Sequence, residues 1–364
     1  MQTNDRSAGL ECGGLAAAFE GGGRSRDSST PVKAVAAPPH SKGLQSATRL
    51  KHYVHLARPF TLLPPLFGII SGAICAWGSA HNPSHVLTSS VILTVVLGSL
   101  CASFLNAANN SLNQIYDLEI DRINKPTRPL VTGEVSLRGA WKFTWVMYLL
   151  GLLPTWLVVV HPFDTWRAKF FAPLPWHECF FIYLAAFVST FVYSVPALGR
   201  TKAHPIGANL TIAIPRGCLL KVAGWTMVAT ATTAEPWFIG AIFMLFLLGA
   251  ASTKDFSDIE GDRAGGCRTL PIAFGVRRAA WMIAPFFVLP WLLMPVGAVT
   301  GILTGNRTAL IVLGALLAAW GSYTVWLIVR NPDELTATEN HPSWRHMYLM
   351  MMAAQIGFAA AYLV

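Results

Sequence analysis

Long stretches of this chain run without a single Asp, Glu, Lys or Arg, among them residues 59–116, 143–163, 179–199, 236–253, 279–306 and 308–329. About 20 apolar residues carry a helix across the hydrocarbon core of a bilayer, so runs of this length read as membrane spans. Nine spans are expected, at roughly 60–81, 86–108, 139–161, 177–199, 206–232, 236–253, 279–304, 308–329 and 346–364. Residues 60–116 must hold two of them, and "HNPSH" at 81–85 supplies the turn between. A soluble helical protein with an unusually apolar core leaves these lengths unexplained. Only 12% of the residues are charged against 53% hydrophobic, where a soluble domain carries about 25% charged. The positions of the few charges are therefore informative.

Lysine and arginine gather on one side of the expected spans. Before the first lie Lys42, Arg49, Lys51 and Arg58; after the second, Arg122, Lys125, Arg128 and Arg138; after the fourth, Arg200 and Lys202. The sixth is followed by Lys254, Arg263, Arg268, Arg277 and Arg278, and the eighth by Arg330 and Arg345. These seventeen face three in the opposite loops, Arg167, Lys169 and Arg307. The positive-inside rule then sets the N-terminus in the cytosol and, with nine spans, Val364 outside. The net charge of +9 is mainly a topology signal, and no soluble basic face points to nucleic acid.

Residues 1–48 differ in kind, rich in Gly, Ala, Ser and Pro with little periodicity, and read as a disordered tail before a membrane domain at 49–364. The tail has no apolar stretch of secretory-signal type, and Asp5, Glu11, Glu20 and Asp27 argue against an organelle transit peptide. The six cysteines are scattered without a C-x-x-C pair and fit neither a disulfide framework nor a zinc site.

Two acidic clusters stand out. In "NQIYDLEIDRINKPTRPL", 113–130, Asn113, Asp117 and Asp121 are spaced i, i+4, i+8, which places them on one face of a helix, with Glu119 directed away and Pro126 closing the helix. In "STKDFSDIEGDRAGGCRTLP", 252–271, Asp255, Asp258 and Asp262 are spaced i, i+3, i+7, again one face, with Glu260 directed away. Both clusters fall on the same membrane side. Stacked carboxylates repel one another unless a cation neutralises them, and Mg2+ prefers carboxylate oxygen while keeping positions open for phosphate. A solvated loop with capping acids explains one such cluster as well; two with the same spacing on the same side favour a site.

Cations complete the pattern. Arg122, Lys125 and Arg128 follow the first cluster, and Lys254, Arg263 and Arg268 flank the second. Arginine binds phosphate in a bidentate way and lysine adds a point charge, so the combination suits a diphosphate held through Mg2+. "YSVPALGRTK" at 193–202 brings Tyr193, Arg200 and Lys202 to the same side, and "IPRGCLLKVAGW" puts Arg216 and Lys221 inside the fifth span. A charge at that depth faces a cavity or reaches for the interface; Arg216 reads as cavity-lining, while Lys221 has a competing structural reading as the partner of a buried carbonyl.

These segments resemble the UbiA-type family of intramembrane prenyltransferases over about 50–364. "NQIYDLEIDRINKPTRPLVTGE" is similar to the family's first N-x-x-x-D-x-x-x-D motif and "KDFSDIEGDRAGGCRTLP" to its second D-x-x-x-D motif. "YSVPALGRTK" resembles its tyrosine–lysine element, and "ARPFTLLPP" its Arg-Pro start of the first helix. The resemblance implies an all-α, multi-pass bundle of nine transmembrane helices around a central cavity with a cytosolic cap. It implies Mg2+ at Asn113, Asp117, Asp121, Asp258 and Asp262, holding a polyprenyl diphosphate. Arg122, Lys125, Lys254 and Lys202 would then neutralise the departing diphosphate, with Arg58, Arg128, Tyr193 and Arg216 as further substrate contacts. Two positions depart from the pattern: Gln114 follows Asn113 where many members have Asp, and no Asn follows Arg58-Pro59.

The expected chemistry is ionisation of an allylic C–O bond as its pyrophosphate is stabilised, shielding of the cation in a water-free cavity, and attack by a lipophilic acceptor, favoured here as aromatic. A CDP-alcohol phosphotransferase needs a D-G-x-x-A-R segment that is missing from this sequence. A transporter would carry its ionisable residues at the midplane rather than in loops. A soluble prenyl diphosphate synthase would not need nine spans.

Overall fold

A computed structural model of the chain describes residues 50–338 and 341–364, all within one compact unit, Gln45–Val364. The tail expected at 1–48 lies outside the described residues. The regular structure among those residues is helical, with no strand among them. A helical stretch at 50–57 leads through a 3-10 turn, Pro59–Leu62, into α1 (Leu63–Gly78). There follow α2 (Ser89–Tyr116), a short α3 (Leu118–Asn124), α4 (Leu137–Leu152), α5 (Glu178–Ser194) and α6 (Pro205–Trp225). Then come α7 (Ala234–Ser252), a short α8 (Ile259–Ala264), α9 (Val276–Thr300), α10 (Arg307–Val329) and α11 (Pro342–Ala361).

Helices occupy every predicted span, and by length and composition six of them suffice to cross a membrane: Pro59–Gly78, Ser89–Tyr116, Pro205–Trp225, Ala234–Phe256, Val276–Thr300 and Arg307–Val329. The other three fall short for identifiable reasons. Helix α4 has 16 residues before the chain tightens into the 3-10 turn Leu153–Leu157. Helix α5 has 17, and α11 opens on Ser343, Arg345 and His346.

The long helices pack in chain order, each against its neighbour, and α11 returns to α1 so that the ring closes. Large apolar side chains are exposed along the outer faces at helical spacing, as at Leu289, Leu292, Val296 and Val299 on α9. An all-round apolar exterior of this kind suits lipid rather than water. Among the loop cations opposite the charged side, Lys169 is buried, donating to Val159 O at 2.7 Å and Thr94 Oγ1 at 3.1 Å.

The end of the bundle away from the acidic clusters is fastened by Glu235, which is fully buried in the first turn of α7. Its carboxylate accepts from Ser79 Oγ at 2.5 Å, Thr304 N at 2.6 Å, Thr304 Oγ1 at 2.9 Å and Tyr362 OH at 2.5 Å. His81 Nδ1 lies 2.9 Å from it. A buried carboxylate is tolerable only when fully hydrogen-bonded, and here the bonds join the ends of α1, α7 and α11 with the α9–α10 connection. Glu235→Ala strands several buried donors, and we expect it to destabilise the fold by about 3 kcal/mol. A thermal unfolding midpoint in detergent equal to that of the unmodified chain would contradict this clamp.

Candidate active site

Helix α2 carries two polar rows, one residue out of register. Asn106, Asn110 and Gln114, each buried, form the first. Asn106 Nδ2 donates to Thr61 O at 2.9 Å, Asn110 Nδ2 to Ala57 O and Thr61 Oγ1 at 2.8 Å, and Gln114 Nε2 to Leu56 O at 2.9 Å. Together they fix the backbone around Arg58, which adopts a left-handed conformation at φ 55°. A non-glycine residue held there marks a position fixed by its surroundings. Gln114, the departure from the motif, thus serves the scaffold.

The second row is Asn113, Asp117, Asp121 and Lys125. Backbone bonds from Asp117 N to Asn113 O (2.8 Å), Asp121 N to Asp117 O (2.7 Å) and Lys125 N to Asp121 O (2.7 Å) carry the helical spacing across the junction of α2 and α3 at Asp117. Asn113 Oδ1 accepts from Ser194 Oγ at 2.5 Å. Asp117, buried, meets Lys202 Nζ at 2.5 Å and Arg200 Nη2 at 3.3 Å, and Asp121, also buried, pairs with Arg128 Nη1. Gly199 at φ 94° and Arg200 at φ 37° turn the chain sharply after α5. That turn delivers two cations to one carboxylate, and glycine tolerates such a φ without strain.

The second acidic loop docks onto the first. Asn124 Nδ2 donates to Asp258 O at 3.1 Å, and Gly261 N donates back to Asn124 Oδ1 at 3.0 Å. Lys125 Nζ bridges to Asp258 Oδ1 at 3.0 Å. Asp262, buried in α8, is spaced from Asp258 by the bond from Asp262 N to Asp258 O at 2.9 Å. Arg268 N reaches Ala203 O at 3.0 Å and ties this loop to the turn that bears Lys202. Both aspartate motifs therefore cap the same end of the bundle.

Beneath the cap lies a cavity of about 210 Å³. Its wall is mainly apolar, with Leu105, Ile182, Leu219, Phe243, Leu247 and Met351 among the lining residues, and with Asn106, Asn109, Arg216, Lys221, Lys254 and Gln355 among its polar members. Arg216 Nη2 donates to Asn106 Oδ1 at 3.1 Å, and Lys254 Nζ stands 4.4 Å above the Trp344 ring. Lys254 thus belongs both to the cavity wall and to the loop that bears Asp258.

Charge is crowded at this end. Burial, and then the like charges of Arg128 and Arg216, hold the Arg58 guanidinium below its ordinary range. Burial works against the Lys202 ammonium, but Asp117 and Tyr193 outweigh it and raise the group above its usual value. Burial pushes Asp121 up, opposed by Arg128. Burial also lifts the Asp262 carboxyl to about 6, with Asp258 and Asp117 adding to the rise against the pull of Lys202 and Arg200. Carboxylates raised by burial and by one another, beside a guanidinium lowered by burial and its like-charged neighbours, suit a divalent ion together with a polyanion.

Among the described residues, no three His, Cys, Asp or Glu side chains converge as a ready cage for a metal. Mg2+ does not require one: it is ordinarily held by one or two carboxylates, with phosphate oxygens and waters completing its shell. The all-oxygen donor set of Asn113, Asp117, Asp121, Asp258 and Asp262 fits that requirement.

Of the residues singled out by sequence, Asn113, Asp117, Asp121, Lys125, Arg128, Lys202, Asp258 and Asp262 come together in the cap, with Tyr193 beside Lys202. Arg58 stands near Arg128 and Arg216, and Arg216 and Lys254 line the cavity. Arg122 departs from its expected place. Its guanidinium is exposed and pairs with Glu119 at 2.7 Å, because α3 sets residues three apart on one outward face. Arg263 and Arg268 are exposed as well. Sequence reasoning missed Asn124, the clamp between the two loops, and the scaffold row on α2. A second amide row at fourfold spacing was the available signal for the latter.

Residues 62–351 match the model of the UbiA prenyltransferase family. The chain is 25% identical over 307 residues to digeranylgeranylglyceryl phosphate synthase of Methanobrevibacter smithii, covering 84% of this chain and 96% of that one. It is 31% identical over 251 residues to the chloroplastic 2-acylphloroglucinol 4-prenyltransferase of Humulus lupulus, covering 66% and 56% respectively. Its fold superposes with a TM-score of 0.63 on a UbiA homolog from Archaeoglobus fulgidus bound to GPP and Mg2+, at 21% identity, covering 86% of this chain and 99% of the other. With the family's two aspartate motifs joined over one cavity and its sequence model matched along most of the length, this chain belongs to the UbiA prenyltransferase family.

Proposed function

We propose that the protein moves a polyprenyl group from its diphosphate to a lipophilic acceptor inside the membrane, with Mg2+ held by Asn113, Asp117, Asp121, Asp258 and Asp262. The observation that carries this reading is the clamp of Asn124 onto the Asp258 loop, which sets both aspartate motifs over a single apolar cavity. When bound, Mg2+ supplies charge neutralisation at the phosphate oxygens. Lys125, Arg128, Arg200, Lys202 and Lys254 neutralise the pyrophosphate as the allylic C–O bond breaks; the outward-turned Arg122 is left out of this set. The prenyl tail lies along the cavity, whose apolar wall keeps water from the carbocation. The acceptor then attacks the allylic carbon.

An aromatic acceptor is the reading favoured by the 31% identity to the hop acylphloroglucinol enzyme. A glyceryl phosphate acceptor is the second reading, and the match to 96% of the archaeal synthase favours it. Incubating the purified protein in detergent with geranylgeranyl diphosphate, Mg2+ and a panel of both acceptor kinds, with product detection by mass, tests the function. No prenylated product from either kind would refute it.

We further propose nine spans, the N-terminus and aspartate loops in the cytosol, and Val364 outside. The support is the distribution of Lys and Arg, seventeen against three. With the native cysteines replaced, a cysteine at exposed Ser136 is expected to resist a membrane-impermeant thiol reagent in intact cells, and one at exposed Thr308 to react. Labelling at Ser136 from outside would invert the orientation.

A further inference from the structure

Among the polar side chains of the cavity, Lys221 on α6 and Gln355 on α11 have no part in the diphosphate chemistry. Both are buried, at 2% and 3% exposure. Lys221 Nζ donates to Gly68 O over 3.3 Å and sits 4.1 Å from the centre of the Phe243 ring. An ammonium has three protons to donate, and this long bond engages one. The backbone carbonyl of Gln355 is fixed by Ser71 Oγ at 2.7 Å, while its side-chain Oε1 is buried with no hydrogen-bond partner. Both side chains approach Gly68 on α1: a Cβ added there would stand 3.9 Å from Gln355 Nε2, and Lys221 holds the Gly68 carbonyl.

A break in the helix explains how Lys221 reaches the cavity together with Arg216. Residues Ile214–Leu219 form a π turn around Pro215, which has no N–H to give an ordinary helical bond. In regular α geometry residues five apart point about 140° away from each other. The i→i+5 bonding of a π turn draws them toward one face, and such turns are frequent at functional sites. Arg216 and Lys221 both line the cavity.

A prenyl tail is hydrocarbon and satisfies neither group, and leaving buried polar groups against hydrocarbon is unfavourable. We propose that Lys221 and Gln355 form the acceptor-binding subsite of the cavity. It takes a molecule that presents an anionic or carbonyl oxygen to Lys221 and a hydroxyl to Gln355, and it orients that molecule for attack on the prenyl carbon. The inference rests on the prenyl-transfer reading and adds the acceptor's chemical class and the residues that select it.

The test uses the full chain in detergent and two probes, homogentisate (a phenol with a carboxylate) and geranylgeranylglyceryl phosphate. Binding of each is followed by quenching of tryptophan fluorescence, beside binding of geranylgeranyl thiolodiphosphate with Mg2+. At least one probe is expected to bind the unmodified protein, with Lys221→Met weakening it tenfold or more and Gln355→Met at least threefold. Lys221→Arg is expected to recover most of the loss. The Kd of the thiolodiphosphate should stay within about twofold in all three variants, which also reports that they are folded. Failure of both probes to bind, or variants that weaken the thiolodiphosphate and leave the probes unchanged, would overturn the subsite. Asp117→Ala separates the two levels. If it binds the thiolodiphosphate normally, the diphosphate site is wrong, whatever the probes report on Lys221.

Discussion

Asp117→Ala and Asp258→Ala are each expected to lower turnover on the order of 10³-fold, the scale on which removing charge stabilisation at a reacting centre acts. The two residues come from loops 141 positions apart, yet each is buried or half-buried at the same cap and each faces cations. Loss of Asp117 also leaves Lys202 and Arg200 without the carboxylate that holds them. The same assay carries its own control. Glu119 lies two residues from Asp117, but its carboxylate is exposed and paired with Arg122. Exposed pairs contribute little, so Glu119→Ala should change turnover by less than about twofold. Equal sensitivity at Glu119 and Asp117 would show that helical phase does not select the site residues.

Removal of divalent metal should be equally severe. With EDTA, turnover of a prenyl diphosphate is expected to fall to background, and Mg2+ or Mn2+ is expected to restore it. The reason is visible in the charges of the cap. Burial lifts the Asp262 carboxyl to about 6, and Asp258 and Asp117 contribute to the rise, so the carboxylates are under mutual repulsion. A diphosphate brought to that cap alone would face the same carboxylates, which already engage Lys125, Arg128, Arg200 and Lys202. Hard divalent ions join carboxylate to phosphate oxygen and remove both penalties. Full turnover in metal-free buffer would contradict the reading.

Much of this architecture was legible in the sequence because membranes impose length. A charge-free run such as 308–329 becomes α10 almost residue for residue. Composition reads less well where a helix starts in polar residues, as α11 does, or stops early in a 3-10 turn, as α4 does. The aspartates were legible because helical spacing repeats them on one face, and backbone bonds from Asn113 to Lys125 keep that spacing. Arg122 was grouped with the cluster by its proximity in sequence, whereas three residues from Glu119 it shares that residue's outward face. Asn124 left no trace in any pattern. Its amide acts across 134 positions, on the backbone of Asp258, and a contact with a main-chain carbonyl requires nothing of the partner's side chain. The transporter and CDP-alcohol phosphotransferase readings fall away with membership of the UbiA family.

The central claim is that two aspartate loops act together, through metal, on one diphosphate. Binding of geranylgeranyl thiolodiphosphate, which does not react, to the purified protein over a Mg2+ titration tests it most directly. Binding should rise with Mg2+ in the unmodified chain and fall away in both Asp117→Ala and Asp258→Ala, since each loop supplies part of the site. Tight binding without metal, or binding that survives loss of either aspartate, would contradict the account.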